Sequence, residues 1–329
     1  MYSTIVVPLD GSAFSERALP AAVALARRSD AALELVHVGE PAVRASGVPV
    51  PDSRFDDEAE QLIRSRVSSL ADALARDAGL RVKPVFLNGD VAPAVQAYVA
   101  ERGADLVVMT SHGRGGISRA WLGSVADELV RRSTAPLLLV RPDEEGAPGA
   151  HEPLFRRVLV PLDGSPRAEE VLAHAAALGT PGATEYLLLN VFTPRVSTDL
   201  FPSEATLLNR EEVARHLEEV QARGGAYLAR VADSFRELGS RVTTHTTLRG
   251  QAGPAILDFA REQGADLIVL STRVRSAAER LLIGSAADKV LRGAAVPVLL
   301  RGPQTRVASE SRDASSMTES AAASAGLAR

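Results

Sequence analysis

Cysteine is absent from the 329 residues. That excludes disulfide bridges and thiolate metal sites and suits a reducing compartment. A net positive charge is missing too: the formal charge is −4, which argues against a general nucleic-acid binder. No run approaches the roughly 18 uninterrupted apolar residues of a membrane span. The opening MYSTIVVPLDGS lacks the basic segment and apolar stretch of a secretory leader. These absences predict a cytoplasmic protein that binds neither nucleic acid nor membrane. What is present, 46% apolar residues, suffices for two buried cores.

The chain says the same thing twice. IVVPLDGS at 5–12 returns as VLVPLDGS at 158–165, and DLVVMT at 105–110 as DLIVLS at 266–271. GSVADELVRRSTAPLLLVR at 123–141 is echoed by GSAADKVLRGAAVPVLLR at 284–301. The second copy trails by 153 residues at Asp10 and Asp163 and by 161 at Asp105 and Asp266. It therefore carries roughly eight extra residues in its middle, and a repeat of this length is a domain rather than a solenoid turn. The boundaries read as domain one over 1–141, a Pro/Gly-rich polar linker over 142–154, domain two over 155–302 and a disordered tail over 303–329.

Within each copy short apolar runs alternate with helical stripes. Copy one gives strands at 5–9, 32–38, 81–87, 105–110 and 136–141, with helices near 57–77, 91–102 and 124–132. Leu19, Ala22, Val23 and Ala26 stripe its first helix, matched by Leu172, Ala175, Ala176 and Gly179. Copy two gives strands at 186–191, 241–248, 266–271 and 297–301, with helices near 210–238, 253–263 and 285–292. Strands apolar on both faces and alternating with helices predict an α/β fold: two tandem open sheets, each five-stranded and mostly parallel, with helices on both faces. Such sheets bind ligands beyond the carboxyl ends of their strands, where the strand order reverses. That rim holds Asp10, Val38 and the loop after Thr110. The terminal strands 136–141 and 297–301 are apolar edges that need a partner.

The chemistry-bearing stretch is TSHGRGGISRAWLGS at 110–124. Glycines let backbone amides approach an anion, and the helix starting near Gly123 and Ser124 supplies unpaired amides, with Ser124 expected as the N-cap. From the glycines alone an ordinary strand–helix connection fits as well. No Gly-Lys-Ser/Thr follows, so this is not a Walker A loop. Nor is it a dinucleotide fingerprint, which would follow the first strand.

At these residues the chain resembles the universal stress protein family, over about 1–141 and 155–302. Its nucleotide-binding members carry Gly, two residues, Gly, nine residues, Gly, then Ser or Thr. Gly113 and Gly123-Ser124 match, whereas Thr110 stands at the first glycine. The resemblance implies an adenine-nucleotide α-hydrolase-like fold and ATP as ligand, with Mg or Mn accompanying it. It puts Pro8 against the adenine, Asp10 beside the ribose and the Val38 backbone at the adenine edge. Thr110, Gly113, Gly123, Ser124 and Val125 hold phosphates and ribose. It also implies that 136–141 and 297–301 pair within the chain, with a homodimer as further assembly and a downstream protein partner.

Copy two keeps Asp163, Val191, Gly284 and Ser285, but Val274 replaces Gly113 and Ser276-Ala277 replace Gly115-Gly116. A β-branched residue suits an anion nest poorly, so copy two reads as a degenerate site, in which Arg273 and Arg275 are either phosphate contacts or surface charges. The other histidines (151, 174, 216, 245) lack metal-ligand spacing; His37 reads as satisfied packing and His112 as a loop residue beside the phosphates. Trp121, the one tryptophan, reads as packing. Two functions compete: a nucleotide-binding stress protein signalling through conformation or assembly, and a slow ATP hydrolase or nucleotidyl-transfer enzyme using the same pocket. An enzyme needs a base or nucleophile aimed at the reacting atom. The rim offers only Asp10 and His112, so binding with at most weak ATPase activity is expected.

Overall fold

The structure is a computed structural model that describes residues 2–39, 53–111, 122–141, 154–193, 210–272 and 284–302. Copy one runs β1 (Thr4–Pro8), a 3-10 turn (Ser15–Ala18), α1 (Leu19–Ser29), β2 (Ala32–Gly39), α2 (Ser53–Ala78), β3 (Val82–Asn88), α3 (Val91–Arg102), β4 (Leu106–Thr110), α4 (Ser124–Arg132) and β5 (Leu137–Val140). Copy two runs β6 (Arg157–Pro161), α5 (Pro166–Glu169), α6 (Leu172–Leu178), β7 (Glu185–Phe192), α7 (Arg210–Glu237), β8 (Arg241–Leu248), α8 (Ala252–Glu262), β9 (Leu267–Ser271), α9 (Ser285–Gly293) and β10 (Val298–Arg301).

The ten strands form one sheet in the order β3-β2-β1-β4-β5-β10-β9-β6-β7-β8. Neighbours within each copy are parallel. β5 and β10 are antiparallel, with Leu138 opposite Leu299. The expected meeting of the two terminal strands is therefore present. Ile5, Val6 and Val7 have no exposed surface, as a central strand covered on both faces requires. One core packs Leu25, Val67, Leu138, Leu188, Leu228 and Leu299 under α1, α2, α6 and α7. The other packs Val6, Val95, Leu129, Leu159, Ile256 and Val290 under α3, α4, α8 and α9. Each core draws on both copies, so the sheet is shared structurally as well as topologically.

Side chains tie the seam on both faces. Asp127 pairs with Arg131 at 2.8 Å and with Arg292 of the other copy at 3.6 Å, and Asp288 pairs with Arg292 at 2.9 Å. On the opposite face Arg28 donates to the Ala177 carbonyl and the Thr180 hydroxyl. Arg301 donates to His174 Nε2 at 3.0 Å and to Glu170 at 3.0 Å, and the rings of His174 and Tyr2 stack 6.1 Å apart.

Several boundaries differ from the sequence reading. β1 ends at Pro8, and the Leu9 amide closes its ladder with β2 on the Val36 carbonyl at 2.8 Å. α2 begins at Ser53. Gly179 lies outside α6 as its extended C-cap, where a Cβ would run into the Tyr186 hydroxyl. Of the expected linker over 142–154 only Leu154 is described, and it is buried; the rest of it and the tail over 303–329 lie outside the described residues.

Candidate functional site

β1 and β4 are adjacent and parallel, with Ile5 facing Leu106 and Val6 facing Val107. β2 flanks β1 on one side and β5 flanks β4 on the other. The strand order therefore reverses between β1 and β4, and their carboxyl ends open a crevice. Pro8 ends β1 and Thr110 ends β4; Asp10 follows the first strand, and Gly123 and Ser124 open the helix after the second.

Asp10 follows β1 in a tight turn. Its Oδ1 accepts from the Ser12 amide at 2.9 Å and the Ser12 hydroxyl at 2.5 Å. Gly11 takes φ +76°, and a Cβ there would lie 2.8 Å from Ile63 of α2, so conformation and space both demand glycine. Asp163 makes the same turn, with Oδ1 accepting from the Ser165 amide at 2.9 Å and its hydroxyl at 2.6 Å. Both aspartates thus cap their turns.

Thr110 is buried at the end of β4, and the Ser111 amide donates to the Val140 carbonyl at 3.2 Å. The Gly123 amide closes on the Ser111 carbonyl at 2.9 Å, which brings the start of α4 to the end of β4. Gly123, not Ser124, is the N-cap: it is extended, and its carbonyl accepts from the Asp127 amide at 2.8 Å. Ser124 is instead the first helical residue and is exposed, with Val125 half-buried behind it. Among the described residues no side chain caps α4. Gly113, His112 and Trp121 lie outside the described residues, as do Arg273, Val274 and Arg275.

Val38 is buried near the end of β2 and faces α3. Its neighbour His37 faces α2, where Nδ1 meets the Leu9 carbonyl at 2.9 Å and Nε2 meets Glu60 at 3.0 Å. His37 is polar satisfaction, as expected. Burial pushes the Glu60 carboxyl up, but His37 and Arg64 outweigh that and hold it below the ordinary value. This chain of contacts pins α2 over the first turn.

Copy two repeats the frame with one substitution. Gly284 caps α9 as Gly123 caps α4, with Ser285 as the exposed first residue, and Val191 is half-buried at the end of β7. The Thr272 carbonyl, counterpart of Ser111, instead accepts from Arg167 Nε at 2.8 Å. Arg167 Nη2 is buried without a hydrogen-bond partner among the described residues. Copy one has Phe14 at this position, with Arg17 stacked on it at 5.5 Å. The sequence reading missed Arg167, although VPLDGSAF against VPLDGSPR displays the change.

Two doubly wound α/β halves that share one sheet, each ending its first strand in an Asp-Gly-Ser turn, define the class of protein. The chain belongs to the universal stress protein family, whose model matches residues 1–141 and again 154–300. It is similar to the universal stress protein YxiE of Bacillus subtilis, at 32% identity over 148 residues, 43% of this chain and all of that one. It is also similar to a universal stress protein of Mycolicibacterium smegmatis, at 27% identity over 288 residues, 85% of this chain and 90% of that one. The fold matches the crystal structure of a universal stress protein from Archaeoglobus fulgidus, with TM-score 0.63 and 20% identity over 92% of this chain and 98% of that one.

Proposed function

We propose that copy one binds ATP in the crevice between β1 and β4, and that nucleotide occupancy acts through conformation or assembly rather than turnover. The observation that carries this reading is the junction of β4 and α4. A helix opens on a glycine with no side-chain cap, held to the strand end by the 2.9 Å bond from Gly123 to Ser111. Uncapped first-turn amides favour an anion. In this reading Pro8 and the Val38 backbone meet the adenine, Asp10 the ribose, and Thr110, Gly113, Gly123, Ser124 and Val125 the phosphates and ribose. No group of three or more metal-ligating side chains occurs among the described residues; an accompanying Mg²⁺ or Mn²⁺ would be carried by the phosphates.

Copy two, with Asp163, Val191, Gly284 and Ser285 but Arg167 across its crevice, is the weaker site. The protein acts in the cytoplasm, as a single chain or a homodimer, on a downstream protein. No helix among the described residues is long and apolar enough to cross a membrane.

Calorimetry with ATP tests the assignment. Gly123→Val should abolish the main binding event, and Gly284→Val should leave it nearly intact. Asp10→Ala should weaken it by about 1–3 kcal/mol, the worth of hydrogen bonds to a charged group. Loss with Gly284→Val and retention with Gly123→Val would move the site to the other copy. Phosphate release at a steady rate faster than about 1 per second, within the ordinary enzyme range, would favour the hydrolase reading. Size-exclusion chromatography with and without ATP reads the assembly.

A further inference from the structure

Three arginines converge on the opposite rim of the sheet, at the amino ends of β6, β7 and β8. Arg156, Arg157 and Arg241, with Ala183 and Glu185, line a depression of about 390 Å³. Arg157 is fixed: its Nε pairs with Glu185 at 3.2 Å, and its Nη1 donates to the Gln263 carbonyl at 2.7 Å. Glu185 is held in turn by the Thr243 hydroxyl at 3.0 Å. Arg156 and Arg241 make no side-chain hydrogen bond or ion pair among the described residues. Asp266 lies below, occupied by the backbone amides of Arg156 and Arg157 at 2.7 and 3.0 Å.

The duplication supplies the comparison. In copy one Ser3 and Thr4 stand where copy two has Arg156 and Arg157. By strand register Arg81 corresponds to Arg241. Arg81 is neutralised there by Asp30, through a 3.4 Å ion pair and a bond to the Asp30 carbonyl. The counterpart of Asp30 is Ala183. Copy two has therefore gained two guanidinium groups, lost the carboxylate that pairs with the third, and gained Glu185 where copy one has Ala32, while keeping the acid-to-amide bonds beneath, which Asp105 makes in copy one.

We infer that this depression is a second ligand site, specific for a small multivalent phosphate anion such as a pyrophosphate or triphosphate group. Guanidinium groups pair with phosphate oxygens as planar two-pronged donors. Two of the three have no hydrogen-bond or ion-pair partner among the described residues, with Arg156 feeling the Asp266 charge only at longer range, and the third is already oriented by Glu185. The concave shape and a volume at the lower end of small-molecule sites favour a compact ligand over a flat polymer surface. The site lies at the end of the sheet away from the nucleotide crevices, so the inference does not rest on the proposed ATP site.

Inorganic tripolyphosphate, which lacks a base and sugar, is the probe, titrated into the full chain carrying Gly123→Val to silence copy one. One saturable event that weakens as salt rises is expected. Ala183→Asp, which restores the copy-one pairing at a half-buried turn, should weaken it about tenfold or more, the effect of losing one charge-assisted hydrogen bond. Arg156→Ala with Arg241→Ala should weaken it further, with thermal melts unchanged. No saturable event, or an event untouched by these variants, overturns the inference. So does a single-stranded oligonucleotide that binds more tightly through the same arginines. ATP binding by the wild-type crevice is read separately, so either reading can fail alone.

Discussion

Glu34 has no exposed surface, yet it sits mid-strand in β2. It accepts from the Tyr98 hydroxyl at 2.6 Å and Arg102 at 2.9 Å and pairs with Lys83 at 3.0 Å. Burial alone pushes its carboxyl up; the three donors outweigh that and hold it below the ordinary value of 4.5. A carboxyl lowered by folding adds stability that is present above the unfolded value and is lost as pH falls through the folded one. Copy two has Leu187, Phe259, Gln263 and Thr243 at the four positions, an uncharged solution to the same packing problem with leucine and phenylalanine in place of the acid and the tyrosine. Replacing a buried ion cluster with fitted apolar groups is often neutral or better. Glu34→Leu with Tyr98→Phe should therefore fold with near-native stability at pH 7 and lose less than wild type below pH 4.5. Glu34→Leu alone strands the tyrosine hydroxyl and should cost about 1–3 kcal/mol. Urea denaturation at the two pH values reads both.

At the level of elements, the two copies seat their long helices by opposite means. In copy one Gly39 ends β2, and Ile63 of α2 fills the space beside the first turn. In copy two Phe192 ends β7, and α7 carries Gly224 opposite it. A Cβ on Gly224 would run into the Phe192 ring. Gly224→Ala gains about 1 kcal/mol of helix propensity, but overpacking costs typically 1–3 kcal/mol. It should lower the thermal midpoint, and Phe192→Leu in the same chain should recover it. None of this was legible in the sequence, because Gly224-Gly225 inside a helical stripe signals only weakened propensity. The parallel, doubly covered sheet was legible, since runs such as VLVP and LIVL suit strands buried on both faces, whereas the order of the strands came from the structure. The turn chemistry was legible in Asp-Gly-Ser. What stayed hidden depended on groups far apart in the chain: Arg167 reaching Thr272, and Glu60 reaching His37. The N-cap moved by one residue to Gly123 because the glycine's carbonyl, not the serine hydroxyl, starts the helix.

At the scale of the whole molecule the seam holds a proton-sensitive group. Burial first, and Arg301 second, push His174 down from 6.5 to about 4, against a smaller upward pull from Asp105. Its Nε2 accepts from Arg301, so the ring is neutral in the folded protein. Folding lowers this value, so the unfolded chain binds the extra proton between the two. Stability should fall as pH drops from about 6.5 through about 4. His174→Gln, which keeps an acceptor for Arg301 and cannot charge, should flatten that limb of a urea-midpoint profile while leaving the loss below pH 4.5 from Glu34. A retained slope would assign the limb to another group.

The β5–β10 ladder has one more consequence. Two separate polypeptides joined by such a ladder would part on dilution by mass action. Here the partners share one covalent chain, and a tether of this kind holds them at an effective concentration in the millimolar range. The union of the two halves is therefore a first-order event, as complete in a cell with a handful of copies as in one crowded with them.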